Sequence, residues 1–266
     1  MPAKIAAGIY VFSQLGQRMQ FSAEERAAWV FDTCRDAGYT AIELMNTYAN
    51  PANAKLLQER GIKVPAVYSG GAVHEPDLAA KTIPAIVGLA RSSLDLFQIE
   101  AIDFNPNPIG RAKSDVQLDN QAKAVSELAS RLRELKLDLW IHQHAPELRD
   151  NAREWRHLMA NTPAGSVRVC FDAHWFYRGG VDVMEHLKLW LPRINAFHLR
   201  NSTNKIWSES FGPGDVDYPA IAAEAKAAGW NGWLIPEIAW DEATVFTRSL
   251  TENLRLSREY AEKLFS

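Results

Sequence analysis

Four short apolar runs in the second half of the chain end on residues that bind metal ions or move protons. "LWIHQH" closes on His142 and His144, "VCFDAHW" carries Asp172 and His174, "AFHLR" carries His198, and "LIPEIAW" carries Glu237. An imidazole or carboxylate set in apolar sequence is costly unless it is paired. One divalent cation would satisfy all four positions together. A lone histidine or aspartate has a plainer use, as a hydrogen-bonded structural residue or a cap, but four in succession point to a shared site. Strand side chains alternate with period two, so His142 and His144 face the same way, about 6.6 Å apart. That is too far for both to hold one ion at about 2.1 Å, so one faces a metal and its neighbour a substrate.

These residues need elements that bring strand ends together, and the chain supplies a regular alternation. Ile5–Val11 reads as a strand, followed by a helix that opens with the capping box Ser22/Glu25 and stops at Gly38. "YTAIEL", "IKVPAVYSGG" and "LFQIEAIDFN" are the next strands, and "NAKLLQERG", "DLAAKTIPAIVGLARS" and Ser114–Leu135 the helices after them. The last helix has apolar positions at Val116, Ala122, Leu128, Leu132 and Leu135. "LDLWIHQH", "SVRVCFDAH", "INAFHLR" and "GWLIPEIA" continue the rhythm, with helices around Arg149–Ala160, Val181–Trp190, Ala220–Ala228 and Glu242–Phe265. Eight strand–helix units predict an α/β fold, a single (β/α)8 TIM barrel over residues 1–266. An open dinucleotide-binding sheet is disfavoured because no G-x-G-x-x-G follows the first strand. In such a barrel active residues gather at the C-terminal ends of the strands, where the four runs end.

The composition narrows the function classes. The 266 residues are 47% hydrophobic and 23% charged, with a formal net charge of -3, so a basic footprint for nucleic acid is missing. Two cysteines, Cys34 and Cys170, make neither a disulfide framework nor a closed thiolate zinc site, which fits a cytoplasmic protein. The opening "MPAKIAAGIYVF" has no charged region followed by a long apolar stretch, so no signal peptide is expected. No run reaches the ~18 apolar residues of a membrane span. The expected partner is a small molecule; a homo-oligomer is left open.

The stretches "AIELM", "FNPNPIGR", "IHQH", "FDAHWFYRGGVD", "FHLRN", "GPGDVDYPAI" and "PEIAW" together resemble the xylose isomerase-like TIM barrel superfamily of sugar phosphate isomerases, ketose 3-epimerases, inosose dehydratases and apurinic endonucleases. The resemblance covers essentially the whole chain. It implies one divalent metal ion held by glutamate, aspartate, histidine and glutamate at the ends of strands five to eight. Carried over, Asp172, His198 and Glu237 fill the last three positions. His142 stands where the first glutamate is expected, and Glu147 is the nearest carboxylate that could reach back. His142 would then lie at the metal and His144 nearer the mouth. Two carboxylates and two imidazoles bring a charge of -2, and imidazole favours manganese, zinc or cobalt over magnesium.

Further candidates stand beside these. Glu43 ends the second strand and could contact a sugar hydroxyl or pair with a basic residue; His74 follows the third strand. Trp175, Tyr177, Trp207 and Trp240 offer faces for a sugar ring or simple packing, and Arg178, Arg200 and Lys205 could bind a phosphate, carboxylate or hydroxyl. "NSTNKIWSESFG" has no D-x-H, which removes a three-metal nuclease site. The leading expectation is a metal-dependent isomerase or epimerase of a keto-sugar or polyol. Glu237 or His142 would take the proton α to a carbonyl polarised by the metal, while His144 and His174 orient hydroxyls. The alternative is a lyase that expels a β-leaving group from a keto-sugar, inosose or oxidised glycoside. A non-catalytic binding barrel is a third reading.

Overall fold

The computed structural model describes residues 4–16 and 19–266, so the first three residues of the opening stretch lie outside it. Its residues form two compact units, one built from the chain up to Pro65 together with Ala196–Ser266, the other from Ala66–Asn195. Among the described residues no helix is long and apolar enough to cross a membrane.

In the first unit the beginning and end of the chain are neighbours. Lys4–Ile5 pairs in parallel with Trp233–Leu234, and Trp233–Pro236 pairs with Ala196–Leu199. On the other side Ala7–Gly8 pairs with Ile42–Glu43, and Gly8 also bridges Glu237. The parallel order is therefore second strand, first, last, next-to-last. The helix Ala23–Asp36 starts as expected: Ser22 Oγ accepts the Glu25 N–H at 3.2 Å and Glu25 accepts the Ser22 N–H at 2.8 Å. Gly38 then leaves it at φ +87°, a conformation that a side chain resists. The helix buries Val30, Phe31 and Cys34, with Val30 and Phe31 each contributing roughly 1.5–3 kcal/mol.

Two boundaries in this unit differ from the sequence reading. The expected first strand, Ile5–Val11, is two short pieces, and a helix takes over at Tyr10–Gly16. The last helix begins at Leu250 rather than Glu242. Ahead of it the buried Glu209 carboxylate accepts the N–H groups of Thr247 and Arg248 and the Thr247 hydroxyl, so that backbone is held in a loop and Ser249 becomes the cap.

The second unit holds four parallel strands in sequential order, Ala66–Gly71, Ala101–Pro106, Asp138–Ile141 and Val167–Asp172. The helix Pro76–Phe97 runs through Leu96 and Phe97, which were read as strand; it ends where Gln98 turns left-handed at φ 57°. The helix Asp115–Glu134 is opened by the box Ser114/Gln117 and buries Leu118, Ala122, Val125, Leu128 and Leu132. Val116 is on its outer face, 68% exposed, because the apolar stripe starts two residues later than expected.

Candidate functional site

The first unit builds its polar cluster on three strand ends. Glu43, His198 and Glu237 come from Ile42–Met45, Ile194–Leu199 and the residue after Trp233–Pro236. His198 Nε2 lies 2.8 Å from Glu43 Oε2, with the two side chains only 1% and 4% exposed. Its Nδ1 faces Glu237 Oε2 at 3.7 Å. Arg200 Nη2 holds the same Glu237 oxygen at 2.8 Å, and the guanidinium lies 5.4 Å over the Trp207 ring. Gly8 makes this convergence possible. It is in register with Glu43 and bridges Glu237, and a Cβ there would fall 2.7 Å from the Glu237 Cβ. Lys205 lies between Arg200 and Trp207 in the chain. It occupies the exposed turn of a small hairpin, Ser202–Thr203 with Ile206–Trp207, where its N–H donates to Asp215.

Two ligands of one ion at about 2.1 Å each stand roughly 3.4 Å apart in tetrahedral geometry. The 3.7 Å between His198 Nδ1 and Glu237 Oε2 fits a shared cation with a small adjustment. Glu43 and Glu237 bring two negative charges against the one positive charge of Arg200, which also favours a cation.

The second unit surrounds its histidines with amides and rings. Asn105 Nδ2 donates to the His142 carbonyl at 3.1 Å, which leaves Asn105 Oδ1 to accept from His144 Nδ1 at 3.0 Å. With Asn105 in that orientation, a neutral His144 ring would carry its proton on Nδ1 and its lone pair on Nε2. The His142 and His144 rings meet edge to face at 4.6 Å, and His144 meets Trp175 at 5.3 Å. The two imidazoles are closer than the ~6.6 Å strand repeat because the strand ends at Ile141 and the chain then turns into a short 3-10 helix, Ala145–Leu148.

Below them lies a group that the sequence reading missed. Asp103, His142 and Cys170, all buried, have ligand atoms within 4.8 Å of one another. Their parity was the available signal: Asp103 is two residues before Asn105, and Cys170 two before Asp172, on strands that alternate sides. Asp172 is fully buried and its Oδ1 accepts the Trp175 N–H at 3.0 Å, capping the helix Ala173–Arg178. His174 is buried in that helix, its ring 6.0 Å from Tyr177. Gln143 reaches the Asp172 carbonyl at 2.9 Å.

Glu147 does turn back, but toward backbone. Its Oε2 accepts the His144 N–H at 2.8 Å, and the residue is 3% exposed. Burial pushes its carboxyl up to about 7, against the lowering effect of that hydrogen bond; Glu154 adds to the rise and Lys113 opposes it. Lys113 is itself buried, bound to Glu154 at 2.5 Å and Gln121 at 2.7 Å, another network that the sequence did not announce. His74 is buried beyond the strand Ala66–Gly71 and is in neither group of metal-ligating side chains found among the described residues.

Known proteins resemble the chain across most of its length. An inosose dehydratase of Geobacillus kaustophilus (strain HTA426) is 24% identical over 169 residues, which cover 57% of this chain and 54% of that protein. The chain thus matches about half the length of this curated relative. A sugar phosphate isomerase/epimerase from Parabacteroides distasonis superposes with a TM-score of 0.76 at 14% identity, covering 98% of this chain and 97% of the other. An L-ribulose 3-epimerase superposes at 0.74 with 17% identity, covering 99% and 94%. Likeness at that identity establishes the fold, an α/β TIM barrel. The family described as xylose isomerase-like TIM barrel matches residues 31–264, and the chain belongs to it.

Proposed function

We propose that this protein is a metal-dependent sugar isomerase or epimerase that takes a proton α to the carbonyl of a keto-sugar or polyol-derived substrate. The observation that carries the reading is the His198–Glu237 pair, 3.7 Å apart and braced by Arg200. Asp172, His198 and Glu237 would hold one divalent ion, with His142 as the fourth ligand, since the Glu147 carboxylate is engaged by the His144 N–H. When bound, the ion supplies Lewis acidity to a carbonyl and a neighbouring hydroxyl. Glu237 accepts the α-proton, and Arg200, bonded to Oε2, fixes the orientation of the carboxylate. His144 presents Nε2 as an acceptor for a substrate hydroxyl, its ring fixed by Asn105 and Trp175. Small-molecule carbohydrate names among the relatives support the substrate class, and an imidazole-containing ligand set supports manganese, zinc or cobalt.

A second reading, a lyase, draws on one observation. His142 replaces the carboxylate that would pair with Glu237, so a symmetric two-carboxylate proton relay is missing. The same abstraction followed by loss of a β-hydroxyl or aglycone needs only one carboxylate base. The inosose dehydratase relative agrees with that course. Incubating keto-sugars in deuterated water with Mn2+ separates the two: an epimer carrying deuterium identifies the first, and an unsaturated product the second. Retained exchange at the parent rate in Glu237→Gln would remove Glu237 as the base.

A further inference from the structure

We propose that Glu43 is a positioning residue for His198: it accepts the Nε2–H, sets the tautomer, and makes Nδ1 the nitrogen that meets a divalent cation. The inference rests on the metal reading above for its cation, while the tautomer itself is a property of the metal-free chain.

Three observations carry it. The Nε2–Oε2 distance of 2.8 Å is a hydrogen bond between two nearly fully buried side chains, so it operates in a setting where such bonds are strong. The other ring nitrogen, Nδ1, is the one directed at Glu237, at 3.7 Å. Once Nε2 is committed to Glu43, Nδ1 carries the lone pair of a neutral ring. Gly8 supplies the third: it stands in register with Glu43 and bridges Glu237, on the strand that separates them. With no side chain there, Glu237 can lie against the strand that pairs with Glu43; a Cβ would fall 2.7 Å from the Glu237 Cβ.

The chemistry explains why a carboxylate is used. A carboxylate bonded to the far nitrogen of a metal-binding imidazole fixes ring orientation and raises its basicity. A sugar-contacting role would leave at least one Glu43 oxygen turned to an accessible surface. Here Oε2 is taken by His198, and Oε1 is buried without a hydrogen-bond partner among the described residues. That arrangement suits a residue that acts through another, not one that touches substrate.

The test uses the full chain, labelled with 15N-histidine and freed of metal, with His198 assigned by its loss in His198→Gln. Long-range 1H–15N spectra should show His198 protonated on Nε2 alone. In Glu43→Leu the signal should move toward the Nδ1–H form or a mixture, whereas Glu43→Gln, whose amide oxygen can still accept, should keep the Nε2–H form. Calorimetric titration with Mn2+ should then give affinities weakened 10- to 100-fold in both variants, the size expected for removal of such a partner. A parent ring protonated on Nδ1, or on both nitrogens, overturns the proposal. So does parent-like Mn2+ affinity in both variants. Should Glu43→Leu fail to fold, Glu43→Gln and the parent spectrum still decide. A parent chain with the Nε2–H tautomer that binds no divalent ion would instead overturn the metal reading and the Nδ1–cation step, while leaving the Glu43 contact standing.

Discussion

His198 and His144 each meet a side-chain anchor at one ring nitrogen, and the two anchors differ in charge. In the first unit a buried carboxylate holds Nε2 of His198, with Glu237 and Arg200 beside it. In the second unit a neutral amide holds Nδ1 of His144, with aromatic rings around it. A carboxylate anchor strengthens an imidazole as a cation ligand. An amide anchor fixes the ring without that electrostatic push, which suits an acceptor for a neutral hydroxyl. On the proposed reading the charged cluster would hold a cation and move a proton, and the amide cluster would orient an uncharged substrate.

Changes to the residues proposed to hold the cation or take the proton should do the most. Asp172→Ala should empty the metal site, read as metal content of the purified protein. The fold should lose only about 1 kcal/mol, the worth of a helix cap, because Asp172 also caps Ala173–Arg178. Full metal occupancy in that variant would remove Asp172 from the ligand set. Glu237→Gln should slow α-proton exchange by about 10²–10⁴-fold with the metal retained or weakened, the range for loss of a general base.

The amide side should answer to pH through Glu147. Its carboxyl is raised from 4.5 to about 7 by burial, so the folded chain binds more protons there than the unfolded chain between those values. Stability contributed by this group is complete below about pH 4.5 and is lost as pH rises through 7, by about 3 kcal/mol. Glu147→Gln should flatten that fall in denaturant titrations at pH 5 and pH 8; an unchanged difference would mean the carboxyl ionises in its ordinary range. Gly8→Ala should come next, destabilising by roughly 1–3 kcal/mol through overpacking. It should also slow exchange, because the new Cβ meets Glu237 at 2.7 Å. A variant with parent stability and exchange would show that the approach of Gly8 to Glu237 is not needed.

The comparison also marks what a sequence can disclose. The alternation of strands and helices was legible because each element carries its own period and stop signals, as Ser22, Glu25 and Gly38 do. The strand-end residues were legible because polar groups stand out at the end of apolar runs. The partners were not. Nothing local ties Glu43 to His198, 155 positions later, or Asn105 to His144, 39 positions later. The loop before the last helix was misread for the same reason: Glu209, 38 residues upstream of Thr247, takes the backbone donors that a helix would have used. The strand-to-helix change at Tyr10 had no sequence signal that we can identify.

The central claim is that the cation sits on the carboxylate-anchored His198 and on Glu237. Crystals grown with Mn2+ and measured for anomalous scattering test it directly. The account predicts one peak about 2.1 Å from His198 Nδ1 and within bonding distance of Glu237. A peak on His142 and Cys170, with none beside Glu237, would contradict it.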